Sequence, residues 1–418
     1  MENNNLIKYE NNQLQRAGNA IAITNKLLEK TEPKLIPYRK KEKWGFCTSD
    51  KKIVIDCVYD EVHPFSEGIA RVKTSTKFGL IDKKGKLIAP CIYDWVCSFS
   101  NGFASVRIND LWGCIDINGK LVVPCIYNFK QNSFIFSEGL KAIYLNGKSG
   151  FININGELVI PYNYSWAVDF SEGMAMVYNN DKKFGFIDKN GELKIPYKYS
   201  YGGGFSEGLA DPLTDRYGKR GFINKKGEIV IPYIYDEVRP FRDGLAPIKL
   251  NHKWGLIDKN GTLITPCIYN GGIADFFEGR ARVTIINNDM DRHGFIDRNG
   301  KLIIPCIYES IRNFHEGLAS VQLNEKCTCI DQNGNLKIPY CFDSMVEFHE
   351  GLARVFLDNK CGFINLTGDL IIPFIYERAD DFNGGLAMVY GGLPKFWQDI
   401  GNYKIGFIDQ KGTEYWED

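Results

Sequence analysis

Asp or Asn stands three residues ahead of a glycine over and over in this chain: Asp82–Gly85, Asp116–Gly119, Asn153–Gly156, Asp188–Gly191, Asn224–Gly227, Asp258–Gly261, Asp297–Gly300, Asp331–Gly334, Asn365–Gly368 and Asp409–Gly412. Carboxylates in glycine turns are the raw material of calcium sites. An EF-hand loop, however, needs alternating oxygen ligands through about twelve residues and a closing Glu. Asp116-Ile117-Asn118-Gly119 offers one carboxylate in a tight turn, so these residues are expected to close hairpins rather than bind metal. A second acidic series, Glu67, Glu138, Glu172, Glu207, Asp243, Glu278, Glu316 and Glu350, precedes another phased glycine. General acid–base work needs one differentiated pair, and a row this regular argues for a repeated turn or backbone hydrogen bond. His315 and His349 share one slot, Phe-His-Glu-Gly, where other copies carry Ser66, Ser137, Ser171 or Ser206. They could stack, but no Cys or Asp set converges on them by spacing, so zinc is not expected.

The twelve cysteines follow the same rule. Cys57, Cys91, Cys125, Cys267 and Cys306 each follow a Pro-position residue, in a slot that elsewhere holds Tyr162, Tyr197, Tyr233, Tyr340 or Phe374. A site that accepts Cys, Tyr and Phe is a packing site, where a thiol acts as a small hydrophobe. Reduced thiols are therefore expected over disulfides or metal ligands. No nucleophile elbow, phosphate loop or dinucleotide fingerprint occurs, so neither a catalytic activity nor a cofactor is expected.

One departure from the regular pattern differs in kind. Five residues after the Pro position, the flanking copies carry Glu61, Glu237, Gly271, Ser310, Ser344 and Arg378. Four consecutive copies between them carry Trp95, Phe129, Trp166 and Tyr201. Equivalent residues of stacked repeats align, so these four form an aromatic stripe. Such a stripe suits a protein segment, a sugar or stacked bases. Mutual packing of the rings without any ligand is the other reading. Two further features stand outside the pattern. Lys34, Arg39, Lys40, Lys41, Lys43, Lys51 and Lys52 form a basic stretch, read as a solvated linker, and 391–403 is an insertion carrying Phe396 and Trp397.

These side chains are positioned by a period of about 34 residues, which marks stacked supersecondary units. An aromatic-Gly pair recurs at Gly45, Gly79, Gly113, Gly150, Gly185, Gly221, Gly255, Gly294, Gly362 and Gly406, with Thr328 in the glycine's place in a ninth copy. Each copy reads as a short apolar strand, a Gly-closed hairpin, a second strand stopped by Pro, and a third alternating strand such as Ile69-Ala70-Arg71-Val72-Lys73. A unit this small cannot close a core alone, so neighbours complete each other. The fold expected is an all-β array of ten to eleven three-stranded units over 34–412, stacked as a solenoid or superhelix, with a closed propeller-like toroid as the alternative. Residues 413–418 read as a tail. Asn11–Lys30 carries Leu14, Ala17, Ala20, Ile21, Thr24, Leu27 and Leu28 at helical spacing, so 1–33 is expected to be an amphipathic helix that caps the array or docks a partner or second copy.

The motifs resemble those of the WG-repeat (KWG) family of bacterial β-repeat proteins. Trp44-Gly45, Trp112-Gly113 and Trp254-Gly255 match its namesake pair, and Pro-x-x-Tyr and Glu-Gly-Leu-Ala complete the pattern. Ser149, Arg220, His293, Cys327 and Cys361 depart from its aromatic. The resemblance implies a non-catalytic interaction scaffold. Lys plus Arg equals Asp plus Glu at 51 each, so no global field favours nucleic acid or an acidic membrane. The N-terminus shows no export signal and no stretch reaches transmembrane length, so a cytoplasmic protein is expected. The function expected is partner binding through an extended repeat surface, with Trp95, Phe129, Trp166 and Tyr201 as candidate contacts. A carbohydrate or cell-envelope binding module is the alternative.

Overall fold

The computed structural model describes residues 34–127, 135–214, 218–287, 290–342, 346–391 and 405–417. The helix expected within 1–33, Phe129 of the stripe, and Phe396 and Trp397 of the insertion lie outside them. The chain divides into two compact units, one running to Ile92 and taking in Tyr415–Asp418, the other Tyr93–Glu414.

In the larger unit the described residues form a succession of small antiparallel sheets. One of them shows how sequence sets the pattern. Trp166–Ala167, Ala175–Tyr178, Phe184–Ile187 and Leu193–Tyr199 pair in chain order as a four-stranded meander. The expectation of three strands per unit is corrected here. The extra strand is only two residues long, too short to show an alternating pattern in sequence, and it begins at the stripe position.

Two turn chemistries hold each meander. Between its first and second strands lies the acid-Gly pair, as in Ser171-Glu172-Gly173-Met174. Glu172 has φ +55° and Gly173 φ +80°, and Ser171 and Met174 exchange both backbone hydrogen bonds. Two left-handed central residues give the hairpin turn whose twist matches that of the strands. Between the third and fourth strands, Gly191 N–H donates to Asp188 O, and Gly191 (φ +82°) supplies the bulge. The Asp188 carboxylate accepts N–H bonds from Asn190 and Glu192 at 2.9 and 3.0 Å. The expected hairpin mechanism therefore holds.

Pro196 does not end its strand, contrary to expectation. The strand runs Leu193–Tyr199, and its register against the third strand shifts between Phe184↔Tyr199 and Phe186↔Ile195. Pro196 sits inside that bulge on the sheet's outermost strand, where no ladder bond is asked of it. The strand's alternate residues Ile195 and Tyr199 are buried while Leu193 and Pro196 are exposed. Leu158 and Ile229 hold the place of Leu193 in neighbouring sheets and are likewise exposed.

The bulge also explains the glycine of the aromatic-Gly pair. A Cβ on Gly185 would lie 2.3 Å from the Ile195 carbonyl oxygen, and on Gly113 2.4 Å from that of Val123. Thr328 is the exception: its side chain is buried and its hydroxyl donates to the Ile338 carbonyl, turning the close approach into a hydrogen bond.

Cores lie between consecutive sheets, not within them. Phe151, Ile160 and Tyr164 of one sheet pack with Ala167, Phe170, Val177 and Ile187 of the next. Phe186 and Ile195 then pack with Phe205 and Ile223, and Phe222 and Ile231 with Phe241 and Ile248. At several junctions the phenylalanine ahead of the acid-Gly turn meets one from the preceding sheet, whereas Phe348 packs in a core with Cys329. Ring centroids are 4.9 Å apart for Phe151–Phe170 and Phe186–Phe205, 4.8 Å for Phe222–Phe241, and 4.7 Å for Phe295–Phe314. A lone repeat would expose half of each pair, which is why a single unit cannot fold alone.

The smaller unit has one variation. Ile53–Tyr59, Lys43–Cys47 and Ile36–Lys40 form an antiparallel run, and Trp416–Glu417 joins Ile36–Lys40 in parallel. Arg39 N–H donates to Tyr415 O at 3.3 Å and Lys41 N–H to Glu417 O at 2.8 Å. Residues read as a tail thus supply a strand. Burial, with Glu417 as hydrogen-bond partner, pushes the Tyr38 hydroxyl up to about 12.

Candidate functional site

The stripe position opens the short first strand of several sheets, as in Trp95–Val96, Trp166–Ala167, Glu237–Val238, Ser310–Ile311 and Arg378–Ala379. The second residue of each pair points inward, so the first points out. Trp95 is 39% exposed, Trp166 50% and Tyr201 43%, large values for rings of this size. Tyr201 pairs with Leu213 through an isolated bridge, because its copy lacks the regular second strand.

Each stripe residue faces a cross-strand partner. In three flanking copies the pair is ionic or cation–aromatic, namely Glu61 and Lys73 at 3.1 Å, Glu237 and Lys249 at 2.9 Å, and Arg378 with its guanidinium 5.7 Å from the Tyr390 ring centre, while Ser310 faces Gln322. Within the stripe it is Trp95–Arg107, Trp166–Tyr178 and Tyr201–Leu213. The residue before the stripe position changes too. Asp60 and Asp236 pair with Lys43 and Lys219 in flanking copies. Ser165 and Ser200 replace them beside Trp166 and Tyr201. Ser165 donates to the Asn179 carbonyl at 2.6 Å, and Ser200 accepts from Lys183 at 2.6 Å. Around Trp166 and Tyr201 side-chain ion pairs thus give way to rings and engaged hydroxyls, whereas Trp95 keeps Asp94 before it and Arg107 opposite.

Trp166 also meets Tyr144 of the preceding sheet, with ring centroids 5.7 Å apart and planes tilted by 51°. Among the described residues this is the ring contact that Trp166 makes. Tyr144 and Tyr178 widen the stripe into a patch that the sequence reading missed. Their signal was available: both occupy the second-strand slot that carries Lys73, Lys249 or Gln322 in other copies.

The remaining candidates fall into the framework. Acid-Gly carboxylates bind the next repeat's turn: Glu172 accepts from Gly208 N–H at 2.7 Å, Glu207 from Gly244 at 2.9 Å, and Glu316 from Gly351 at 2.8 Å. Glu138 and Glu207 also pair with Lys189 and Lys259 at 3.0 and 2.9 Å. Desolvation pushes their carboxyls up, but these lysines and the glycine N–H groups outweigh it and hold both below the usual range. The preceding serines run in parallel: Ser137, Ser171 and Ser206 hydroxyls donate to the carbonyls of Phe170, Phe205 and Phe241. His315 and His349 stack with centroids 5.5 Å apart, facing Glu347 at 3.7 Å and Asp381 at 3.9 Å. Among the described residues no group of three or more His, Cys, Asp and Glu is placed to hold a metal.

The described cysteines are free thiols. Those after the Pro position lie against the bare glycine, as Cys125 does at Gly113, and burial pushes the Cys306 thiol up to about 11. In the basic stretch Lys43 pairs with Asp60 at 2.6 Å and Lys40 with Glu417 at 3.4 Å.

Comparison with known proteins is consistent with this repetition. The family described as WG containing repeat matches residues 44–75, 78–112, 112–148, 150–182, 184–211, 221–254, 254–288, 294–327, 328–361 and 362–390. No curated protein matches the chain. Among solved structures, a eukaryotic initiation factor is similar at 10% identity and TM-score 0.43, covering 82% of this chain and 96% of its own. BamB from Moraxella catarrhalis is similar at 10% identity and TM-score 0.29, with 74% and 91% covered. The WD40 β-propeller domain of Doa1 gives 12% identity and TM-score 0.24, with 54% and 88% covered.

Proposed function

The chain belongs to the WG-repeat family, and from that premise we propose that it is a non-catalytic scaffold that binds a protein partner through an extended surface of its stacked repeats. Trp95, Trp166 and Tyr201 are the contacts, with Phe129 as the fourth member of the run. The observation that carries this reading is the exposure of Trp166 and Tyr201 at a position where Glu61 and Glu237 of two other copies form ion pairs with Lys73 and Lys249. Large rigid rings left half in water gain more than other side chains when a partner covers them. The framework absorbs the other chemistry-bearing groups: acids cap turns, serines tie carbonyls, and thiols fill gaps behind glycines. The working setting is the bacterial cytoplasm.

Changing Trp95 and Trp166 together to Glu tests the proposal, because Glu61 and Glu237 show that the position accepts that residue. The double variant is expected to keep its melting temperature and lose partner capture from lysate. Unchanged capture sinks the stripe as the binding surface. Selective submicromolar binding on a glycan array overturns the protein-scaffold reading in favour of a carbohydrate module.

A further inference from the structure

Resting on that reading, we infer that the surface around Trp166 and Tyr201 binds an acidic segment of the partner, whose carboxylates stand where flanking copies place carboxylates of their own.

Those copies carry a recurring ion pair beside the stripe position. A cation at the head of one strand meets an acid seventeen residues on, immediately ahead of the stripe residue. The pairs are Lys43 with Asp60 at 2.6 Å, Lys219 with Asp236, Arg292 with Glu309 at 3.9 Å, and Lys360 with Glu377 at 3.9 Å. In three of them the carboxylate also accepts a backbone N–H from a nearby turn: Ser75 for Asp60, His252 at 3.2 Å for Asp236, and Asn324 at 3.2 Å for Glu309. A cation and an amide together make a carboxylate site, which the chain fills from within.

Lys148 and Lys183 are the corresponding cations of the Trp166 and Tyr201 copies, but Ser165 and Ser200 stand in the acid's place. Lys148 donates to Asn180 Oδ1 at 2.7 Å and Lys183 to the Ser200 hydroxyl at 2.6 Å, neutral acceptors that leave the charge of each ammonium uncancelled. The turn amide corresponding to that of Ser75 belongs to Asn180. It is on an exposed residue and makes no hydrogen bond among the described residues. Asp181 follows in the same turn, and Lys148, Lys182 and Lys183 outnumber it. A carboxylate arriving at Lys148 and the Asn180 N–H, or at Lys183, restores the pairing of the other copies, while the half-exposed rings cover the apolar atoms beside it. Loss of the acid alone does not make this surface: Lys253 has Asn270 in the acid's place, but Gly271 where the ring would stand.

The same comparison favours a peptide over a nucleic acid. A phosphate backbone following the run of rings needs cations along its length. It would instead meet Asp94 ahead of Trp95, whose carboxylate accepts Asn109 N–H at 2.7 Å, and Leu111 in the lysine slot of the Phe129 copy. A peptide needs its acids only opposite Lys148 and Lys183.

A peptide repeating Glu-Leu-Gly four times, titrated into the intact protein with tryptophan fluorescence as readout, tests the inference against the same peptide carrying Gln for Glu. The acidic peptide should bind saturably, more weakly as salt rises, and about tenfold more tightly than its Gln counterpart. Lys148→Gln with Lys183→Gln should erase that difference, and Lys253→Gln should leave it unchanged. Ser165→Asp with Ser200→Asp supplies the acid that flanking copies carry, so it should erase the difference too without lowering the melting temperature. Equal binding of the two peptides, or none by either, overturns the inference. So does a preference for the acidic peptide that survives the paired Ser→Asp change. A partner captured through Trp95 and Trp166 whose capture is indifferent to Ser165→Asp with Ser200→Asp overturns it as well, while the scaffold reading stands. Tighter binding of oligothymidylate through the same lysines brings down both.

Discussion

Glutamate is a poor choice for a left-handed backbone, yet it holds that conformation in copy after copy at the acid-Gly turn, as at Glu207 with φ +52°. Asn would fit the turn better. What Asn lacks is reach: the Glu207 carboxylate extends to the Gly244 N–H and to Lys259 on the following repeats. We therefore expect Glu207→Asn to lower stability by about 1 kcal/mol, a charge-assisted bond being worth more than the relieved strain. Turn preference alone predicts a rise, so a thermal melt separates the two accounts. The same carboxylates set an acid limit. Glu138 and Glu207 are held below the ordinary value of 4.5 when folded. They therefore bind fewer protons folded than unfolded, and the stability they add is present above about pH 4.5 and lost as pH falls through their folded values. Melting temperature should fall on acidification in that window, and Glu138→Gln with Glu207→Gln should flatten the fall. Glycine 185 tests the opposite extreme of side-chain reach. Gly185→Ala pushes a methyl against the Ile195 carbonyl and should remove about 3 kcal/mol, read by urea denaturation. Thr328→Gly, by contrast, loses only a hydrogen bond and should remove about 1 kcal/mol.

Phe205 illustrates how the sheets depend on one another. It sits in the loop ahead of its turn and fills the core of the sheet before it, 4.9 Å from Phe186. Phe205→Ala should therefore loosen two elements at once. The expected loss is about 3–5 kcal/mol, with hydrogen exchange rising in both Phe184–Tyr199 and Arg220–Tyr235 and little changed in distant sheets. Uniform acceleration along the whole chain would contradict nearest-neighbour coupling. How much of this was legible beforehand follows from the same physics. The hairpins, the acid turn and the thiol slot were readable because each uses residues with one strong local preference, and each recurs. The two-residue first strand was not, since its pairing depends on a turn some residues away and shows no alternation of its own. Pro196 misled because proline bars a regular ladder, whereas a bulge asks nothing of its missing N–H. Tyr144 and Tyr178 stand out in sequence only when their slot is compared with Lys73 and Lys249 of other copies, and their nearness to Trp166 appears only in the fold.

For the molecule as a whole, the last residues carry weight out of proportion to their number. Trp416–Glu417 adds to Ile36–Lys40 and covers Tyr38. Truncation after Glu414 strips two backbone hydrogen bonds and a buried edge from the smaller unit. It should lower that unit's stability by roughly 2 kcal/mol or more, seen as faster exchange at Ile36–Lys40 while Leu245–Tyr269 stays protected. Equal loss in both regions would mean that the two units do not respond separately. The outermost strands raise a question of another kind. A long strand at the rim of a sheet, carrying exposed leucines and isoleucines, is what a neighbouring molecule needs to continue the sheet as its own, and this chain bears such a rim on repeat after repeat. In every described rim strand except Ile53–Tyr59, which has Asp56 there, a bulged proline at the centre withholds the amide donor and breaks the spacing any incoming strand would require. The chain can thus multiply its repeats, and the surface they offer, without multiplying its tendency to polymerise.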